Sequence, residues 1–190
     1  MDMLTPSTPS SKPASKPASI PLPTTPGRAA RLSRPLGLVV GLFERIPYSL
    51  IALLARLSAG ATFWISGQTK VQGFVVNLIT GEIHLGWPRL SDSVVALFRD
   101  EYRLPLVPPE FSAPMAATAE HLLPLLLVLG LGTRFAALGL LGMTAVIEVF
   151  VYPDAYPTHG VWATALLLLV ARGAGLVSLD ALLARRWARA

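Results

Sequence analysis

Apolar residues fall along this chain in blocks of membrane-crossing length, separated by short polar breaks, and that pattern sets the first expectations. Tyr48 to Gln68 is apolar, small or weakly polar apart from Arg56. Further apolar blocks run over 113–132, 134–151 and 157–172. A helix rises about 1.5 Å per residue, so about 20 such residues cross a hydrocarbon core of about 30 Å. Four spans are therefore predicted, the last of them short. Leu36 to Phe43 is apolar but shorter still, and Glu44, Arg45 and Pro47 follow it, which suits a helix lying at the interface.

The stretches outside the blocks differ from one another. Residues 1–35 are rich in Pro, Ser, Thr, Ala and Lys and too poor in large apolar side chains to offset ordering entropy, so a disordered tail is expected. Residues 69–112 form a long loop on the far side. Within it, Ser91 is placed to cap a short amphipathic helix carrying Val94, Val95, Phe98 and Tyr102, which stops at Pro105, Pro108 and Pro109. At the chain's end, Ser178 precedes Leu179, Leu182, Leu183 and Trp187 with Arg185, Arg186 and Arg189, the pattern of a second interfacial helix. The expected fold is an all-α integral membrane protein: a four-transmembrane-helix bundle over 36–190, with interfacial helices.

Composition agrees with this reading. Hydrophobic residues make up 53% of the 190 and charged residues only 14%, against about 25% charged in soluble domains. The net charge of +5 does not indicate nucleic acid, because the basic residues flank apolar blocks instead of forming a patch with aromatic readers. They fit topology better. Lys12, Lys16, Arg28, Arg31, Arg34 and Arg45 precede the first span, Arg134 separates the second from the third, and Arg185, Arg186 and Arg189 close the chain. With four spans all three groups fall on one side, so both termini are expected in the cytoplasm of a multi-pass protein of a bacterial inner membrane. Cysteine is absent, which removes thiolate metal sites, iron–sulfur clusters and dithiol redox chemistry carried by the chain itself.

Charges inside the blocks are the candidate chemistry, since a charge at membrane depth costs several kcal/mol unless it meets a partner or a cavity. Ala52, Arg56, Gly60, Phe63, Gly67 and Lys70 share one face of the first span. Ala113, Ala116, Ala117, Glu120 and Pro124 share one on the second, and Ala137, Thr144, Glu148 and Tyr152 one on the third. Arg56 lies roughly 18 Å, and Glu120 roughly 10 Å, below the outer ends of their helices, so an Arg56–Glu120 pair is expected. Pro124 leaves the Glu120 carbonyl without its helical donor. Two readings of the pair stay open: an ion pair that fixes helix register, or the polar wall of a ligand cavity. His121 suits helix packing or proton exchange. Trp64, Tyr152, Tyr156 and Trp162 suit an aromatic belt, with Trp64 also placed to line a pocket. His84, His121, His159 and Asp154 lack ligand spacing, so no metal site is predicted, and no nucleotide fingerprint or nucleophile elbow is present.

Arg56, Gly60, Phe63, Gly67 and Lys70, then Glu120 followed by Leu129-Gly130-Leu131-Gly132-Thr133-Arg134 and Ala136-Ala137, and finally Arg172-Gly173 with Ser178-Leu179-Asp180, together resemble the DoxX family. The resemblance covers about residues 48–183. It implies a four-helix membrane protein linked to oxidoreductase systems, such as the membrane subunit of a thiosulfate:quinone oxidoreductase. Here that means an accessory subunit, not a stand-alone enzyme, working with a partner oxidoreductase and a quinone. The implied quinone site takes in Arg56, Phe63, Trp64, Lys70, Glu120, His121 and Glu148. The segments FRDEYRLPLVPPEF and VFVYPDAYPTHG also resemble DoxX proteins encoded beside metal-binding peptides and the iron enzymes that modify them, which would make a peptide-modifying system in copper handling the partner. A membrane anchor or scaffold, and a small-molecule or metal transporter, remain the alternatives.

Overall fold

A computed structural model describes residues 37–77 and 80–189. The expected tail over 1–35 lies outside the described residues. Residues 37–43 form a short helix, α1, belonging to a unit separate from Glu44–Ala190.

The second unit begins with α2 (Tyr48–Gln68), which ends where the apolar block ends. A hairpin follows, β1 (Val71–Asn77) and β2 (Glu82–Leu90), and then α3 (Asp92–Leu97), which loosens into a π-helical turn over Phe98–Tyr102. Next come α4 (Pro109–Leu129), α5 (Thr133–Val146, with a π turn over Ile147–Val151), α6 (Tyr156–Arg172) and α7 (Leu179–Trp187). Helix α2 packs on α4 and α6, and α5 on α4 and α6, so the four long helices close a ring. Its core is Ala52, Ala59, Phe63, Leu127, Ala136, Leu140, Leu166 and Leu169.

The structure departs from the sequence expectations in several places. The fold is not purely helical, because the 69–112 loop carries an antiparallel two-stranded sheet that pairs Phe74 with Leu85 and Val76 with Ile83. The register slips at Gly73, where φ is +81°. A Cβ on Gly86 would lie within contact-forbidden distance of the Gly73 carbonyl, so the bulge needs both glycines. Helix α4 starts at Pro109 instead of Ala113: proline lacks the N–H that a first helical turn leaves unused, so the three-proline run opens this helix as well as stopping the one before. Ser91 sits at the N-cap of α3, but its side chain makes no cap bond and accepts from Gln72 Nε2 at 3.0 Å instead. Ser178 does cap α7, accepting from the Ala181 N–H at 3.2 Å.

Three helices among the described residues are long and apolar enough to cross a membrane: Tyr48–Gln68, Pro109–Leu129 and Thr133–Val151. Helix α6 has 17 residues, about 25 Å by helical rise.

Glycine decides how closely α2 and α4 approach. A Cβ at Gly67 would meet the His121 ring at 2.9 Å, and one at Gly60 would meet Val128 Cγ2 at 2.7 Å. These contacts also fix the pairing: Gly67 lies beside Glu120 and His121, and Gly60 beside Pro124 and Val128, so the two helices run antiparallel.

Candidate functional site: a polar-walled cavity in the bundle

Lys70 and Glu120 form the ion pair at the hairpin end of the bundle. Lys70 Nζ lies 2.7 Å from Glu120 Oε2, and both side chains are more than nine-tenths buried. Lys70 Nζ also donates to Ser66 Oγ at 3.1 Å, and Ser66 Oγ donates to Glu120 Oε1 at 3.3 Å. Glu120 Oε2 has no directed hydrogen bond beyond its ionic contact.

The expected Arg56–Glu120 pair does not form. Helical side chains lean toward their own N-terminus. Arg56 therefore leans away from the hairpin end, while Lys70, just past the end of α2, folds back down onto Glu120. Arg56 Nη1 donates to the carbonyls of Ala174 (3.1 Å) and Val177 (2.8 Å), and Nη2 to that of Val128 (3.2 Å). The guanidinium thus serves one carbonyl in the last turn of α4 and two in the connection between α6 and α7.

A cavity of about 490 Å³ lies beside the Lys70–Glu120 pair. Phe63, Ser66, Lys70, Glu120, His159 and Trp162 line it, with Tyr102 and Tyr152 at the end nearest α3. Phe63 and Trp162 meet edge to face, with ring centroids 5.8 Å apart. On α6, His159 Nδ1 meets Glu148 Oε2 at 2.5 Å. Two polar groups therefore border one largely apolar chamber, Lys70–Glu120–Ser66 from the α2 and α4 side and His159 from α6, bonded to Glu148.

Over the α3 end, the two π turns come together. Tyr102 and Tyr152 make an edge-to-face contact at 6.0 Å, and the Tyr152 hydroxyl donates to Glu101 Oε1 at 2.7 Å. That hydrogen bond to a carboxylate holds the Tyr152 phenol well above its usual pKa, and burial raises that of Tyr102. Arg103, directly after the first π turn, takes a left-handed conformation, φ 45°, uncommon for a residue with a side chain.

The sequence-derived site residues divide into three groups. Phe63, Lys70 and Glu120 line the cavity, and Glu148 reaches it through His159. Trp64 and His121 lie on the other side of α2 and α4, where they hold the hairpin. Trp64 Nε1 donates to the Val76 carbonyl at 2.8 Å, Gln68 Oε1 accepts from the Val76 N–H at 2.8 Å, and Gln68 Nε2 meets His121 Nε2 at 2.8 Å. His121 Nδ1 faces the Ala117 carbonyl at 2.7 Å, so the tautomer with a proton on Nδ1 satisfies both contacts. Arg56 belongs to neither group. Sequence reasoning missed His159 and Ser66 as cavity residues. His159 is one of two histidines in the long helices, and its position opposite Glu148 depends on the α5–α6 turn.

A profile described as DoxX matches residues 51–153, more than half of the chain. The chain belongs to the DoxX family. A Haemophilus influenzae relative, an uncharacterized protein, is 31% identical over 98 residues, which cover 46% of this chain and 65% of the relative. The chain thus spans somewhat less than two thirds of that relative's length. No solved structure matches.

As a DoxX protein it is a multi-pass membrane protein whose apolar helices contact the lipid bilayer. The segments that carry the DoxX resemblance near the end of the chain meet at the α7 end of the bundle. Asp180 Oδ1 and Oδ2 accept from the N–H groups of Gly132 (2.7 Å) and Thr133 (3.0 Å), and the Asp180 N–H donates to the Gly130 carbonyl at 2.8 Å. The carboxylate thereby caps α5 at its positive end. Gly130 and Gly132 both take left-handed conformations, and a Cβ on Gly130 would lie 2.5 Å from Arg56 Nη1. In this DoxX chain Arg56, Gly130, Gly132 and Asp180 make one structural knot, away from the cavity.

Proposed function

We propose that this DoxX protein is a subunit of a quinone-linked oxidoreductase system, with the quinone bound as substrate in the cavity between α2, α4, α5 and α6. The observation that carries this reading is the buried Lys70–Glu120 pair set into the wall of a largely apolar chamber that His159 also lines. A quinone asks for that combination: an apolar ring seat and polar groups for two oxygens on opposite edges. Phe63 and Trp162 supply the seat. Lys70 and Ser66 serve one oxygen, and His159, steadied by Glu148, serves the other and holds a proton near it. Quinone reduction consumes two electrons and two protons. The electrons come from a reduced partner protein, because the chain has no cysteine and the reading gives it no redox group of its own. In place of Arg56, Trp64 and His121, which other contacts engage, this version of the site takes Ser66, Trp162 and His159.

Four spans complete the arrangement. Helix α6 crosses with α5 despite its length, with locally thinner lipid or its Gly-rich exit making up the few ångströms short of the core. The α7 end, with Arg134, Arg172, Arg185, Arg186 and Arg189, faces the cytoplasm, and the hairpin end faces outward from a bacterial inner membrane. A peptide-modifying system of copper handling is the partner class that the two loop segments favour.

The test is purification of the full chain in native lipid, followed by solvent extraction and a quinone assay. Quinone is expected in the extract, and lost with Lys70→Met and with Glu120→Gln. Wild-type protein that neither retains nor binds a quinone overturns the reading. A second reading, a membrane anchor for a partner complex, is favoured by Ile83, Leu85 and Trp87, alternate residues of β2 that are all exposed. It predicts that replacing these three by serine abolishes complex formation while leaving cavity binding intact.

A further inference from the structure

The cavity has two possible ways in, and they differ in what surrounds them. Toward water, α3 and its π turn lie over the chamber. Phe98 is buried there, and Tyr102 and Tyr152 meet across the mouth, with the Tyr152 hydroxyl tied to Glu101. Within the membrane-spanning helices, the lining residues that are also exposed on the protein's outer surface are Met115 of α4 with Gly139 and Val146 of α5. Those of α2 and α6 are buried or half-buried.

The seam between α4 and α5 is built of slight or flexible groups. Ala119 and Met143 line it between its two ends, and at its deeper end Gly139 approaches so closely that a Cβ would lie 2.9 Å from Leu123 Cδ1. Lys70 and Glu120 are buried in the wall beyond it.

We infer that the cavity is loaded sideways from the bilayer through the α4–α5 seam, so that its ligand is a quinone whose hydrocarbon tail lies out between Met115, Ala119, Met143 and Val146. This rests on the quinone reading above and narrows it to a class. A ring with a tail partitions into the membrane and arrives at the seam already dissolved in lipid. A tailless ring reaches the same polar groups but gains nothing from the seam. A methylene gains much more when it moves there from water than when it moves there from lipid, so the seam selects by access and fit.

The chain has no cysteine, which permits a reversible plug. Ala119→Cys protein in nanodiscs is treated with a membrane-soluble aryl methanethiosulfonate, and dithiothreitol later removes the added group. Binding is measured for a tailless dimethoxy-methyl-benzoquinone and for the same ring carrying a decyl chain. Labelling is expected to weaken the decyl compound about tenfold or more, about 1.4 kcal/mol, to weaken the tailless ring much less, and to be reversed by dithiothreitol. Recovery on reduction separates a plugged seam from a misfolded protein. Leu167→Cys, exposed on α6 and outside this cavity, serves as the control and is expected to show no such loss.

Equal loss of both compounds, no loss of either, the same loss at Leu167→Cys, or failure of Ala119→Cys to label overturns the seam while leaving the quinone reading in place. Unlabelled protein that binds neither compound overturns the quinone reading itself, and the seam with it.

Discussion

Lys70 reaches back one helical turn along α2 to meet Glu120 of α4 at 2.7 Å, and in doing so fills the place that sequence reasoning gives to Arg56. Removing one member of a buried pair leaves the other charge uncompensated, at a cost of about 3–5 kcal/mol, whereas replacing both can be nearly neutral. Lys70→Met and Glu120→Met are each expected to lower thermal stability in detergent by an amount of that order. The double variant should recover most of the loss. Strictly additive losses in a double-mutant cycle would show that the two charges are not coupled.

Arg56→Lys is expected to be costly although it keeps the charge. An ammonium cannot reproduce the planar fork that serves the carbonyls of Val128, Ala174 and Val177 together. A loss of about 2 kcal/mol or more is expected from the buried carbonyls left open, with ligand binding in the cavity unaffected. A change in quinone affinity at constant fold would contradict the separation of the two sites.

Asp180→Ala removes the carboxylate that accepts from Gly132 and Thr133. Loss of an N-terminal helix cap of this kind costs about 1–2 kcal/mol. The α7 segment should loosen first, because the carboxylate ties it to the start of α5, while the backbone bond from the residue 180 N–H to the Gly130 carbonyl stays in place. Limited trypsin digestion at Arg185 and Arg186 should quicken relative to wild type, and an unchanged cleavage rate would show that α7 is held by other contacts.

The Tyr152–Glu101 hydrogen bond has a pH signature. The bond raises the folded-state pKa of the phenol above its ordinary value near 10. Its contribution to stability is therefore fully present below pH 10, and it is lost as pH rises beyond that value toward the raised folded-state pKa. In an ultraviolet titration, Glu101→Gln should bring one tyrosine ionisation back toward 10, and Tyr152→Phe should remove it. A titration curve identical to wild type in both variants would mean that the bond does not hold in solution.

Periodicity alone was enough to place the long helices. Tyr48 and Gln68 bound α2 as the apolar block implies, and the small-residue face carrying Gly60 and Gly67 is the face that meets α4. The hairpin was not read, although Phe74, Val75, Val76 and Ile83 flank Thr80-Gly81, because a segment too short and broken to span the membrane reads as loop between the spans. The partner of Arg56 was not legible. Axial distance treats a helix as a rod without direction, whereas the backward lean of helical side chains sends Arg56 and Glu120 to opposite ends. Nor could spacing reveal that the acceptors would be backbone carbonyls of Ala174 and Val177, since every residue carries one.

The knot around Arg56 also constrains how the protein is made. The guanidinium bonds the Val177 carbonyl 121 residues later in the chain, and at about 5–20 residues per second that oxygen is synthesised on the order of ten seconds after Arg56. For that interval a charged side chain waits without its final acceptors, during the period when the early helices enter the membrane. The segment from Ala174 to Val177 therefore completes the set of acceptors around Arg56, and chains cut short before it are the ones that a membrane quality-control protease should clear.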